Sequence, residues 1–466
     1  MHWIQFAKFF TYYKQRFMKK IFSYAITLWV LLAIATACGN NAPKTENTSK
    51  DTAAAAEPKK DSTEDESKKS PVSGDVQLKL PGGFTAIEVT PGIGPARQLV
   101  VNSKGDIYVK MSDAHGNKGI IELKDKNGDG IADETTSFGN YGGTGIAIKN
   151  GYLYASSNSE VFRYKLNAND EVADPNNPEK IVTGLVDRGQ HNSKSIALDD
   201  AGNIYVNIGA PSNACQVQDR TKGSRGQDPC PILETAGGIW QFKANKLNQS
   251  YPEGVRYCTG IRNIVGLDWN RKEKQLYAMQ HGRDQLHDFY PDMYDDKQSA
   301  ELPAEEMFLV KKGSNFGWPY CYYDEFQNKK ILGPEYGGDA KKQGRCAGVD
   351  QPIMAFPGHL APNALLFYTG SQFPEHYRNG AFICFHGSWN RAPESQAGFF
   401  VVFVPFKNGK PSGKYEVFAD GFTGVAVVKG PGQAKHRPMG LAMGPDGAIY
   451  VSDDVKGTIW KIVYRG

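Results

Sequence analysis

The chain has 466 residues, and its 54 Lys and Arg against 50 Asp and Glu leave a net charge of +4. So small an excess, with no basic run in the part that can fold, excludes an electrostatic nucleic-acid surface. Hydrophobic residues at 40% and aromatic residues at 12% suffice for a large core, and 51 glycines predict many turns.

The first segment reads as an address. Met18-Lys19-Lys20, an apolar run from Ile21 to Ala35, and Ala35-Thr36-Ala37-Cys38 have the three parts of a secretory signal. Its end resembles a bacterial lipoprotein signal, which implies a lipid on Cys38, although Ala35 stands where such signals prefer Leu. Met18 supplies a natural start, and residues 1–17 are then either an extension or a long leading region. Residues 39–79 are expected to be a flexible tether: as far as Gly74 they are Lys, Glu, Asp, Ser, Thr and Ala without one aromatic, too polar to offset the entropy of ordering. The expected setting is an exported protein held to a membrane by Cys38, facing the periplasm or the cell surface.

Residues 80–466 repeat one grammar: apolar run, Gly-containing turn, run with an aromatic, turn, third run. It recurs around Tyr108, Tyr154, Tyr205, Tyr277, Ile383 and Tyr450, and the third runs are GIIELK, EVFRYKL, GIWQFKA, EEMFLVKK, FFVVFVPF and TIWKIVY. Six copies predict an all-β, six-bladed β-propeller of four-stranded antiparallel blades, in which each meander buries a face that it cannot bury alone. The interval between central residues widens from 46 (Tyr108 to Tyr154) and 51 to 72 and 106 (Tyr277 to Ile383), so the functional insertions belong to the third, fourth and fifth copies.

After Cys38 six cysteines remain. Cys215 with Cys230 and Cys321 with Cys346 each bracket a loop that a bridge would pin, with connectivity left open. There is no Cys-x-x-Cys-His for covalent haem and no zinc spacing of Cys and His.

Several stretches have the residue types of a site. Asp125, Asn127, Asp129 and Asp133, with Gly130 at the sixth position, match the start of a calcium loop, though Thr136 stands where an acid closes such loops; a solvated turn is the alternative. Arg188-Gly189-Gln190-His191-Asn192 precedes the inner strand of the third copy, where a histidine can serve as a base or simply hold structure. Arg262-Asn263, Phe356-Pro357-Gly358-His359 and Arg437-Pro438 occupy the same place in later copies. His281-Gly282-Arg283-Asp284 and the stretch from His386 to Arg391 follow second runs. Together they put His and Arg at one end of the propeller, which suits an anionic ligand with several carboxylates.

GQHNSKSIALDDAGNIYVNIGAPSNACQ, GIRNIVGLDWN, MQHGRDQL, LPAEEMFLVKKGSNFGWPYCYYD, FYTGSQFPEHYRNGAFICFHGSWNRAP and HRPMGLAMGPDGAIYVSDD resemble the sorbosone dehydrogenase family, itself similar to soluble PQQ-dependent glucose and aldose-sugar dehydrogenases. The resemblance covers nearly all of residues 80–466. It implies oxidation of a sugar or sugar aldehyde by hydride transfer to pyrroloquinoline quinone (PQQ), with a calcium ion at the cofactor. His191 matches the general base, Arg262 and Asn263 residues beside the quinone oxygens, and Gly282 and Arg283 the pair whose backbone carbonyls hold the calcium. Arg437 matches a partner of a cofactor carboxylate, and Arg391 and His359 fall near two further cofactor contacts. One departure is Tyr141-Gly142-Gly143-Thr144, where the glucose enzymes present a glutamine; glucose is therefore not implied. Without its own haem, such an enzyme passes electrons to a separate cytochrome or quinone.

Two other classes compete. A calcium-dependent lactonase on the same fold would need carboxylates and asparagines in the funnel, where this chain offers Arg and His. A non-catalytic lipoprotein binding glycans or proteins would have no use for His191 and Arg262.

Overall fold

The computed structural model describes residues 74–466. Within them six antiparallel blades form a β-propeller, and every third run read from the sequence is the third strand of its blade. The inner strands are Ala96–Val101, Ile146–Lys149, Ile196–Leu198, Ile264–Asn270, Pro362–Phe367 and Pro438–Met443. Each pairs with a second strand running the other way, as in Val100 with Tyr108 and Ala442 with Tyr450. Blade 6 takes its outermost strand, Phe84–Thr90, from the start of the domain, pairing Phe84 with Tyr464 and Ile87 with Lys461. Closing the ring with both chain ends removes the edge that a six-blade array would leave open.

One apolar cluster lies between each pair of neighbouring blades, so both faces of every sheet are covered. The central residue of each second strand faces the next blade: Tyr108 packs among residues of blade 2, Tyr154 of blade 3, Tyr205 of blade 4 and Tyr277 of blade 5. Each ring so buried contributes on the order of 2 kcal/mol. In the fifth blade this place belongs to Phe382, paired with Leu366, and not to Ile383, which faces back toward blade 4. Slipping one residue along a strand exchanges its faces, and the apolar run GAFICF hides which face is which.

Because strands alternate in direction, the starts of all inner strands and the ends of all second strands share one end of the propeller. The long insertions gather there. In blade 3, residues 209–237 carry a Cys215–Cys230 bridge; in blade 4, residues 281–304 carry short helices at Leu286–Phe289 and Asp296–Glu301. A further blade 4 insertion holds the hairpin Cys321–Asp324 and Lys329–Leu332, pinned by a Cys321–Cys346 bridge. Cys258 and Cys384 are buried free thiols. Among the described residues no helix is long and apolar enough to cross a membrane. The secretory signal, Cys38 and the tether up to residue 73 lie outside the described residues.

Candidate active site

At the insertion-bearing end the backbone itself is unusual. His191, Cys215, Arg220, Gln285, His359, Ala361 and Phe399 all have positive φ, a left-handed conformation that side chains adopt at a cost of about 1 kcal/mol or more. Seven such residues around one mouth show loops held in place by their surroundings.

His191 enters on the loop before the inner strand of blade 3. Its Nδ1 lies 2.5 Å from the carbonyl oxygen of Ala210. A carbonyl only accepts, so Nδ1 carries the proton and Nε2 is left as a free base. The ring lies against bare backbone: a Cβ on Gly209 would come within 2.7 Å of both His191 Cβ and Asn263 Oδ1. Burial, and then the charge of Arg262, lower the imidazole pKa to about 3, which keeps it neutral and proton-accepting.

Arg262, 4% exposed, donates from Nη1 to the Gly282 carbonyl at 2.8 Å and from Nη2 to Asp284 Oδ2 at 2.6 Å. Its Nε has no partner among the described residues. Asn263 accepts from Asn207 at 3.4 Å. Asp284 is a hub: its Oδ2 also accepts from Arg220, and its Oδ1 from Asn390 at 3.2 Å. Burial works against its charge, but Arg262, His359 and Arg220 outweigh it and hold its pKa below the usual carboxylate range.

The opposite side of the mouth is closed by blades 1, 2 and 6. Arg97 donates to Thr144 Oγ1 at 3.3 Å and to Ser193 Oγ at 3.2 Å, and lies 3.9 Å from Asp454. Asp454 is 2.8 Å from His386 Nε2. Arg437 donates from Nη2 to the Gly387 carbonyl at 2.6 Å. Blades 1 to 6 thus all contribute to one polar ring, whose four guanidiniums (Arg97, Arg220, Arg262, Arg437) outnumber its three carboxylates (Asp219, Asp284, Asp454).

Some expected residues are placed otherwise. Arg391 donates to the carbonyls of Ala300, Gly358 and Ser395 and to Glu301, so it clamps the loops of blades 4 and 5 together instead of facing a ligand. His359 gives Nε2 to the carbonyls of Ser299 and Leu302 and meets Asn390 through Nδ1, supporting Asp284 from behind. The side chain of Arg283 turns to Glu335 in a buried ion pair. The loop of Asp125, Asn127, Asp129 and Asp133 lies at the far end of blade 1. Asp125 accepts from Gly128 and Gly130, Asn127 from Asp129, Asp129 from Ile131, and Asp133 from Lys126. These side-chain-to-amide bonds shape the loop as a chain of Asx turns; among the described residues no three His, Cys, Asp or Glu side chains are grouped to hold a metal.

Arg97 was missed because it lies within its inner strand, Ala96–Val101, and not just before it as Arg262 and Arg437 do. Gly209, Asp454, Arg220 and the role of Asp284 carry no motif of their own. Volume alone misleads: a cavity of ≈ 400 Å³ opens along the axis at the opposite end, between inner-strand residues such as Val100, Ile148 and Leu366, away from the polar ring.

The PQQ that the sequence resemblance implies is a planar tricarboxylate quinone. The donor set fits it: guanidinium forks for carboxylates, an unpartnered Arg262 Nε, and a neutral imidazole with Nε2 free. A calcium ion fits less simply, because the Gly282 carbonyl already accepts from a guanidinium.

The chain is similar to several known proteins in sequence and in fold. The chain is 28% identical, over 44% of its length, to an uncharacterized protein of Borreliella burgdorferi, of which it spans 48%. It is 22% identical to the pyrroloquinoline quinone-dependent sugar dehydrogenase of Hypocrea jecorina, over 80% of this chain and 86% of that one. It spans 36% of the pyrroloquinoline quinone-dependent pyranose dehydrogenase of Coprinopsis cinerea, at 23% identity over 52% of this chain. The holo pyranose dehydrogenase PQQ domain of Coprinopsis cinerea superposes with a TM-score of 0.65 at 18% identity, over 83% of this chain and 97% of that one, which establishes the shared fold. Residues 78–465 match the TrAA12-like family throughout, and the chain belongs to that family.

Proposed function

We propose that the chain is a PQQ-dependent dehydrogenase of sugars or sugar aldehydes; its Hypocrea and Coprinopsis relatives are named as PQQ-dependent sugar and pyranose dehydrogenases. The observation that carries this reading is the tautomer of His191. Its Nδ1 is committed to Ala210, so a neutral Nε2 stands ready as a base inside a ring of net positive charge. PQQ, when bound, supplies the electrophilic quinone that accepts a hydride, chemistry no side chain provides. His191 Nε2 takes the substrate hydroxyl proton as the same carbon gives up its hydride, turning C–OH into C=O. With PQQ bound, Arg262 and Asn263 would favour negative charge on the quinone, and Arg97 and Arg437 would hold carboxylates. At the mouth Trp389, 54% exposed beside Asn390, offers an indole face to a sugar ring.

Calcium belongs to the same proposal. The carbonyls of Gly282 and Arg283 would hold it, with further oxygens from the cofactor, since no three His, Cys, Asp or Glu side chains are grouped among the described residues. Calcium is therefore expected to bind together with PQQ and not to the cofactor-free protein. Export and a lipid on Cys38 complete the reading, supported by the two bridges, which suit an oxidising compartment. Electrons would leave to a separate cytochrome or quinone. The test is reconstitution of the purified protein with PQQ and calcium, followed by dye reduction across a sugar panel. Uptake of PQQ with sugar-dependent reduction is the expected result; no uptake at any calcium concentration would refute the proposal.

A further inference from the structure

The insertion of blade 3 crosses the mouth, and its internal bonding makes it a strut. The Cys215–Cys230 bridge closes its base. Val217 N donates to Arg225 O at 2.9 Å and Gln227 N to Cys215 O at 2.9 Å, so the two arms run against each other. Gln216, buried, reaches across to the carbonyls of Thr221 and Ser224. Asp219 near the tip is fixed by Ser212 Oγ at 2.6 Å and Asn213 N at 2.9 Å.

Arg220 stands at that tip with φ +52° and a side chain 28% exposed. Its donors touch both halves of the site. Nη2 meets Asp284 Oδ2 at 2.8 Å, the same oxygen that Arg262 meets at 2.6 Å; Nη1 meets Gln285 Oε1 at 2.9 Å; and Nε lies 3.5 Å from Gln190 Oε1, one residue before His191. Gln190 in turn donates to Asp219 at 3.0 Å. Asn213, at the foot of the strut, holds Asp284 from both sides, accepting from its N–H at 2.9 Å and donating to its carbonyl at 3.1 Å.

We propose that Arg220 is a positioning residue, carried to the mouth by the disulfide-closed strap, which acts through Asp284 to fix Arg262 and offsets the negative charge of Asp219 that an anionic ligand would otherwise meet. The proposal rests on the dehydrogenase reading only for the identity of that ligand. Arg220 and Arg262 balance Asp284 and Asp219, which lies 4.0 Å from Arg220 Nε, whereas without Arg220 the cluster would carry one net negative charge. Arg220 therefore removes a repulsion that an anion approaching Arg262 would otherwise meet. Its fork spans three acceptors on two blades, which a point-charge ammonium cannot do.

The test compares the intact protein with Arg220→Ala, Arg220→Lys and, as a control on the same strap, Lys222→Ala. PQQ affinity is measured by absorbance titration, without turnover, and hydrogen exchange is measured on the cofactor-free proteins. Arg220→Ala is expected to weaken PQQ binding about tenfold or more and to speed exchange at the amides of Asn213 and Asp284. Arg220→Lys should restore most of the affinity but not the slow exchange, and Lys222→Ala should change neither. Unchanged exchange in Arg220→Ala overturns the strap, and unchanged PQQ affinity overturns its electrostatic role. If the unaltered protein takes up no PQQ while Arg220→Ala still speeds exchange at Asp284, the cofactor assignment fails and the positioning role stands.

Discussion

Replacing His191 with Ala tests the chemistry most directly. The substitution removes Nε2 and the bond to the Ala210 carbonyl but touches none of the guanidiniums: Arg262 keeps Gly282 and Asp284, Arg97 keeps Thr144 and Ser193, and Arg437 keeps Gly387. PQQ affinity should therefore stay within a few-fold, while loss of a positioned base should lower kcat by about 10²–10⁴, equivalent to about 3–5 kcal/mol of barrier. Single-turnover mixing of the loaded protein with sugar, following the quinone absorbance, separates the two quantities. A further consequence concerns protons. In the cofactor-free protein burial and Arg262 lower the pKa of His191 to about 3, so its ring resonances should not titrate between about pH 5 and pH 8. A His191→Ala protein that retained kcat within tenfold would refute the assignment of the base.

Three other outcomes follow from contacts away from the reacting atoms. Gly209→Ala places a Cβ 2.4 Å from the His191 carbonyl and 2.7 Å from Asn263 Oδ1, so the His191 loop must shift; about 10²-fold of kcat is expected to go with an intact circular dichroism spectrum. Serine pairs at the bridges, with sequence separations of 15 and 25, should cost about 3 and about 3.5 kcal/mol in denaturant unfolding, with the larger loss at Cys321 and Cys346. His436 lies between Asp453 at 3.0 Å and Asp75 at 2.7 Å, and these carboxylates outweigh burial to raise its pKa. Its stabilising effect is full below the ordinary histidine value of about 6.5 and fades as pH rises through the raised one. The Tm deficit of His436→Gln should accordingly be larger at about pH 6 than at about pH 9.

Much of this architecture was legible because a propeller writes each blade separately. The six third runs map onto six third strands, and one rule, polar residues just before an inner strand, located His191, Arg262, Asn263 and Arg437. What escaped was whatever depends on distant chain. The closing strand Phe84–Thr90 pairs the first strand with the last, and no local pattern marks that. GAFICF is apolar on both faces, which moved the centre of blade 5 by one residue from Phe382 to Ile383. The hub at Asp284 exists only because an insertion from blade 3 and a loop from blade 5 meet over blade 4.

The same reasoning sorts the arginines at the mouth by what a ligand would have to displace. Arg97 donates to two hydroxyls, and Arg437 to backbone carbonyls. Neutral bonds of this kind are worth about 0.5–1.5 kcal/mol each, and a carboxylate in their place returns about 1.5–3. Exchange is therefore favourable at both. Arg391 is 8% exposed and carries Glu301 as well as the carbonyls of Ala300, Gly358 and Ser395, while Arg283 is locked to buried Glu335. Pulling either toward a ligand would strand a carboxylate or several carbonyls without a donor, at about 1–3 kcal/mol for each buried group. Arg97→Ala and Arg437→Ala should accordingly weaken PQQ binding with little change in Tm. Arg391→Ala should lower Tm while the folded fraction binds PQQ nearly as before. Equal losses of affinity in all three would mean that Arg391 reaches the ligand after all, and that displaceability does not decide which guanidiniums bind it.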